Sequence, residues 1–366
     1  MSLLLMIPAE IRLAILGWTI CSLGTPPSHP AEEQSIRQNL RHTVGFTYPK
    51  IKHLRPPNHT LPLLLVDRQI YGEVKSLLCR LSADYYVDIM VVDIMAVKEL
   101  GLWPTWSIPA LPQTQYIDSI NATLRIFDLV PPKPLDGAPR PQSLSEIQFS
   151  HEATSKERCS RHESTHADID WRKSARLGLL YWLLVDIFYK GPGLLATVRR
   201  PLPLPQYIVK KLVIDIRAPV EAPSSESMVF DDGHYKAARN LPENDPGHDD
   251  ATITPEESLA RCLCEFFNRL LAFGPNSNKM GQFIYEQVVD SIVLTLNGKD
   301  FKAFELESRL REEETKWRAE PPNLNYNASG KRLSEKWILW AYKRRQRMRE
   351  GLKIDFNQRP YSGFRL

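Results

Sequence analysis

The stretch Gln206–Ile216, QYIVKKLVIDI, sets the reading of this chain. Leu212, Ile214 and Ile216 take every second position, the period of a half-buried strand. Two other stretches echo it. Gln115-Tyr116-Ile117 leads into Ile120–Phe127, and Gln287-Val288-Val289 leads into Ile292–Leu296. Between and after them lie three helical candidates, Ser174–Tyr189, Glu256–Phe273 and Phe301–Trp317. The order is β-α-β-α-β-α, which predicts a mostly parallel sheet with right-handed crossovers. Tyr85–Val92, rich in aromatic and β-branched residues, adds a strand upstream.

Before that strand, Leu61–Leu81 reads LPLLLVDRQIYGEVKSLLCRL. Leu65, Ile70, Val74, Leu77, Leu78 and Leu81 recur near a helical period, and Pro62 suits a first turn. Pro8–Ile20 reads as a shorter helix, with Pro8 at its first position and Glu10 at its positive end. Ile11, Ala14, Ile15 and Trp18 form a stripe on it. That stripe can serve a partner or the core, and the core is the expected use. Residues 25–60 are polar and broken by prolines, and read as a long loop.

The 366 residues suffice for one large domain or two ordinary ones. Hydrophobic content of 43% and charged content of 25% are those of a globular protein. The 29 prolines are about 8% of the chain, against roughly 5% as usual, and their clusters mark long irregular connections. Pro131–Asp170 and the acidic stretch Ala218–Glu257 have compositions that cannot offset the entropy of ordering, and read as disordered insertions. Five scattered cysteines point to a reducing compartment, cytoplasmic and/or nuclear. A net charge of +4 argues against nucleic-acid binding by the chain as a whole. The longest apolar run, Leu177–Tyr189, is too short to span a bilayer, and no membrane association is expected. The start lacks a basic region and is broken by Pro8, Glu10 and Arg12, so no signal peptide is expected.

IPAEIRLAIL at Ile7–Leu16, followed by LPLLLVDRQIYGEVKSLL at Leu61–Leu78, resembles the divergent F-box-like module of many fungal proteins. That module runs LPxEIRxxIY and then LLxVSRQIRxEA. Pro8, Glu10, Ile11 and Arg12 match the first half; Leu64, Leu65, Val66, Arg68, Gln69, Ile70 and Glu73 match the second. A strand and a tryptophan-containing segment usually follow, and Tyr85–Val92 with Trp103 and Trp106 fit that order. The resemblance covers roughly residues 1 to 130. It implies a protein partner, a Skp-type adaptor of a cullin ubiquitin ligase, with the body receiving a substrate. Pro8, Glu10, Ile11, Ile15 and Trp18 are then the candidate partner-binding residues.

Two other motifs carry chemistry. His162-Glu163-Ser164-Thr165-His166 is an HExxH pattern. On a helix it would set two imidazoles one turn apart for zinc, with Glu163 as general base of a hydrolase and Asp168 or Asp186 as third ligand. Its place in a polar insertion, with no GxxH continuation, favours a solvated linker, and no cofactor or metal is expected. The basic helix Lys331–Lys353 places Lys343, Arg344, Arg345, Arg347 and Arg349 in one run, a candidate nuclear-import or phosphate-binding patch. Trp337 and Trp340 would dock this helix on the body while its basic side faces solvent.

The fold class read here is α/β (or α+β). An F-box-like helical module fills residues 1–82, with a loop at 25–60. A β-α-β-α-β-α body fills 83–330, with insertions at 131–170 and 218–257. A basic helix and tail fill 331–366. The expected function is that of a non-enzymatic interaction protein. The alternatives are the zinc hydrolase and a nuclear protein that binds through its basic helix.

Overall fold

The computed structural model describes residues 3–21, 25–30, 32, 37–41, 47–54, 63, 65, 67–78, 84–94, 99–107, 115–128, 175–191, 207–219, 254–272, 281–319 and 328–355. Its helices are α1 (Ala9–Cys21), α2 (Arg68–Leu78), α3 (Ala175–Lys190), α4 (Pro255–Leu271), α5 (Gln282–Gln287), α6 (Leu306–Ala319) and α7 (Ala328–Arg349). Its strands are β1 (Gln38–Arg41), β2 (Thr47–His53), β3 (Asp84–Ile94), β4 (Glu99–Ser107), β5 (Tyr116–Asp128), β6 (Ile208–Arg217), β7 (Val288–Leu296) and β8 (Lys299–Glu305).

The strands form one mixed sheet in the order β1-β2-β4-β3-β5-β6-β7-β8. The central run β3-β5-β6-β7 is parallel, as the echoes predict. Antiparallel β4 and β8 flank it, and β1–β2 extend it past β4. The steps from β5 to β6 to β7 all run the same way across the sheet. Right-handed crossovers therefore put α3 and α4 on the same face. Leu180, Leu184 and Phe188 of α3 share one core there with Leu259, Leu263 and Phe267 of α4 and with Leu212, Ile214 and Ile216 of β6. The opposite face carries Lys211, Val213, Asp215 and Arg217 and is only partly buried. Parallel strands covered on both faces are apolar throughout. The alternation in Gln206–Ile216 is thus the mark of a sheet with helices on one side.

Two glycines are required by the backbone. Gly191 ends α3 at φ 77, and a Cβ there would lie 2.2 Å from the Tyr207 ring. Asn297 (φ 52) and Gly298 (φ 78) are both left-handed and make the two-residue turn between β7 and β8. Asp215 fixes this turn, accepting from Gly298 N (2.9 Å) and Thr295 Oγ1 (2.7 Å).

Several expectations are corrected. The loop read at 25–60 contains β1 and β2, and Ile51 enters the main core, so the boundary drawn at residue 82 is crossed. The helix read over Leu61–Leu81 is described over Arg68–Leu78, because Asp67 caps it: its Oδ1 accepts from Gln69 N at 2.7 Å. Phe301–Trp317 does not start as a helix. The Asn-Gly turn makes Lys299–Glu305 a strand, and α6 begins at Leu306. Trp103-Pro104-Thr105-Trp106 lies inside β4. Its two tryptophans face opposite sides, Trp106 the main core and Trp103 a cluster with Met90, Val92 and Phe127. Pro104 is tolerated because its carbonyl points to the sparsely bonded side, where Leu54 N donates to it at 3.1 Å. The insertion at 131–170, and residues 220–253 of the second insertion, lie outside the described residues.

Candidate partner-docking site

α1 is apolar on two sides. At 100° per residue, Ile11, Ile15 and Trp18 share one arc, while Leu16 and Ile20 lie on the far side. Only the second set is used by the core: Leu16 and Ile20 pack with Ile70 and Val74 of α2, and Leu4, Leu5, Leu63, Leu77 and Leu78 close the edges. The expectation that Ile11, Ile15 and Trp18 feed the core is therefore overturned for two of the three. Ile11 is 54% exposed and Trp18 77%, with Ile15 half-buried. Met6, Leu65 and Tyr71 are exposed large apolar side chains of the same N-terminal region. Pro8 and Glu10 are exposed at the start of α1.

The phase of α1 is set by a polar clamp. Arg12 is buried and binds Glu73 of α2 through both ends, Nε to Oε2 at 2.6 Å and Nη2 to Oε1 at 2.5 Å. Its Nη1 also donates to Ile7 O (2.7 Å) and Leu5 O (3.3 Å), tying the 3₁₀ turn Leu3–Met6 to the helix pair. Gln69 Nε2 donates to Glu73 Oε1 at 3.1 Å. The hydrogen bond from Arg12 holds the Glu73 carboxyl below its ordinary value, and Glu73 raises the Arg12 guanidinium in return. Two positions of the sequence motif, Arg12 and Glu73, are thus the two ends of one ion pair. Their pairing across 61 residues had no local signal, and neither did the exposure of Tyr71 and Leu65 beside it.

The basic run of α7 divides in two. Lys343, Arg347 and Arg349 are exposed, but Arg344 and Arg345 point inward, which corrects the reading of one basic face. The short helix α5 ends against β7 and leaves carbonyls with no helical partner. Arg345 Nη1 donates to Tyr285 O (3.1 Å) and Val288 O (2.8 Å), and Nη2 to Val289 O (2.5 Å). Its Nε reaches Glu307 at 3.3 Å. Arg344 Nε donates to Glu286 O at 3.0 Å, and its guanidinium sits over the Trp340 ring. Burial lowers the Arg345 guanidinium from its usual range, and Glu307 works against that. These arginines are caps. Trp337, Ile338 and Ala341 bind α7 into the main core, as the docking tryptophans predict.

His162, Glu163 and His166 lie outside the described residues. Among the described residues no group of three or more His, Cys, Asp or Glu side chains is placed to hold a metal ion. Among them, too, no helix is long and apolar enough to cross a membrane. Comparison with models of protein families, with curated proteins and with solved structures finds no match.

Proposed function

We propose that this chain is a non-enzymatic interaction protein that docks through the outward side of α1, and that its partner is a Skp-type adaptor of a ubiquitin ligase. The observation that carries the reading is the second apolar stripe of α1. Ile11 and Trp18 stand in solvent although the same helix already supplies Leu16 and Ile20 to a core. Large apolar side chains left exposed together on one surface mark an interaction site. A fixed scaffold presents them, because Arg12 and Glu73 lock the rotation of α1 against α2. The choice of adaptor rests on the sequence resemblance. The body, whose second sheet face has no helix on it among the described residues, is the part left to receive a target.

The test is capture of a purified Skp-type adaptor by the full chain, compared with Ile11→Asp and Trp18→Asp. Both side chains are exposed, so thermal stability stays within about 0.5 kcal/mol of the parent. Capture falls at least tenfold in each variant. Capture that survives both substitutions, or that the parent never shows, removes the adaptor from the reading.

A further inference from the structure

The basic helix α7 keeps one side in solvent. Trp337, Ile338, Ala341 and Met348 pack into the cores of the body, and Arg344 and Arg345 turn inward as caps. At 100° per residue the opposite arc carries Leu339, Lys343, Lys336, Arg347 and Trp340, in that order around the axis. Leu339 is 59% exposed, Lys336, Lys343 and Arg347 are exposed, and Trp340 is half-buried. From Lys336 to Arg347 the arc runs about 16 Å along the helix.

The turn that ends α7 adds to this side. Gly351 is left-handed (φ 67), Leu352 N donates to Arg347 O at 3.0 Å, and Gly351 N donates to Met348 O at 3.1 Å. These are the paired bonds of a glycine-terminated helix. Arg347 Nη2 donates in turn to Lys353 O at 2.9 Å. Leu352, 43% exposed, and the exposed Lys353 are thereby held beside Arg347. Along the helix and its cap, two exposed leucines alternate with exposed cations.

These cations are not answered from within the fold. On α6, Arg309, Arg311, Lys316 and Arg318 each pair with a glutamate three or four residues away on their own helix. Arg345 and Arg349 of α7 share Glu307. Lys336, Lys343 and Arg347 have no carboxylate within ion-pair distance among the described residues. Glu350 closes the arc at its end, where it accepts from Gln346 Nε2 at 3.0 Å. A row of unanswered cations is complementary to an anionic partner.

Anionic partners differ in what else they bring. A bilayer needs a broad apolar face, and that face of α7 is packed in the core. Single-stranded nucleic acid needs a free aromatic platform, and the Trp340 ring is covered by the Arg344 guanidinium at 5.2 Å. A phosphate backbone offers nothing to the exposed leucines. An amphipathic acidic peptide brings carboxylates and apolar side chains together. We propose that the outward side of α7 docks an acidic peptide segment of a partner protein, which sets apolar side chains on Leu339 and Leu352 and carboxylates on Lys336, Lys343 and Arg347. The inference uses none of the residues of the adaptor reading and survives its failure.

The experiment titrates the full chain into a fluorescein-labelled synthetic peptide, a glutamate-rich helix with two leucines about 16 Å apart on one face, and reads anisotropy. A saturable rise is expected, and Leu339→Ala weakens it about tenfold. Lys336→Gln combined with Lys343→Gln weakens it about tenfold as well and flattens its salt dependence. All three side chains are exposed, and Ala and Gln suit a helix, so circular dichroism and the melting midpoint stay those of the parent. Arg344 and Arg345 are left in place because they cap the body. The same peptide with both leucines replaced by serine binds about tenfold more weakly. The proposal is overturned if the leucine peptide does not bind, if the serine peptide binds equally, or if Leu339→Ala has no effect. Tighter binding of a single-stranded oligothymidine, or of vesicles of phosphatidylserine and phosphatidylcholine, also overturns it, because the partner is then a nucleic acid or a membrane.

Discussion

Leu16, Ile20, Ile70 and Val74 are the buried apolar set of the α1–α2 pair, whereas α3, α4, α5, α6 and α7 all feed one core on the sheet. The two regions also bury charge differently. In the pair, Arg12 meets one carboxylate and the backbone of its own preceding turn. In the body, Arg345 donates to three backbone carbonyls at the α5–β7 junction. Both regions close their buried arginines with acceptors, so the contrast lies in what each leaves at its surface. The pair keeps large apolar side chains in water, and its surface is free to serve another molecule.

The largest test of this contrast is Arg345→Ala. Three buried carbonyls lose a charged donor and Glu307 loses its buried cation. Removing one side of such an arrangement costs about 3–5 kcal/mol. The urea midpoint of the body's main transition falls accordingly. A loss under about 1 kcal/mol would mean that the α7 caps are ornamental.

Leu16→Ala comes next. The residue is 1% exposed, but it sits in a small cluster, so the cost is about 2–3 kcal/mol. Hydrogen exchange of the α1 and α2 amides speeds up while amides of β6 and β7 do not change. Equal acceleration in both sets would show a single cooperative unit and dissolve the comparison.

The smallest effect is one of pH. The Glu73 carboxyl is held below the ordinary value of 4.5 by Arg12. A group with a lowered folded value contributes stability that is fully present above 4.5 and is lost as pH falls through the folded value. Acid therefore loosens the α1–α2 pair, seen as faster proteolysis near Glu73, and Glu73→Gln abolishes the pH dependence. The same acid sensitivity in Glu73→Gln would assign it to another group.

Much of the body was legible. The echoes at Gln115, Gln206 and Gln287 fall at the starts of β5, β6 and β7; the first two helical candidates match α3 and α4, and the later part of the third matches α6. The misses have physical causes. β1 and β2 lie in a proline-broken stretch and are strands only because β4 and each other supply partners. β8 was missed although Asn297-Gly298, the strongest short hairpin signal, precedes it. The sequence also placed Arg344 and Arg345 with their neighbours, since a run of arginines looks the same whichever way each side chain turns.

The amino-acid sequence by itself settled the identity of the central strands, their winding with helices and the presence of two early helices. Those properties follow from short-range periodicity, which every local window carries. Only the tertiary structure decided which side of α1 is buried. Both stripes are apolar, and the choice between them belongs to Glu73, far along the chain. The same holds for Arg345: its direction is fixed by carbonyls 56 to 60 residues away, which it meets only when α7 packs against α5 and β7.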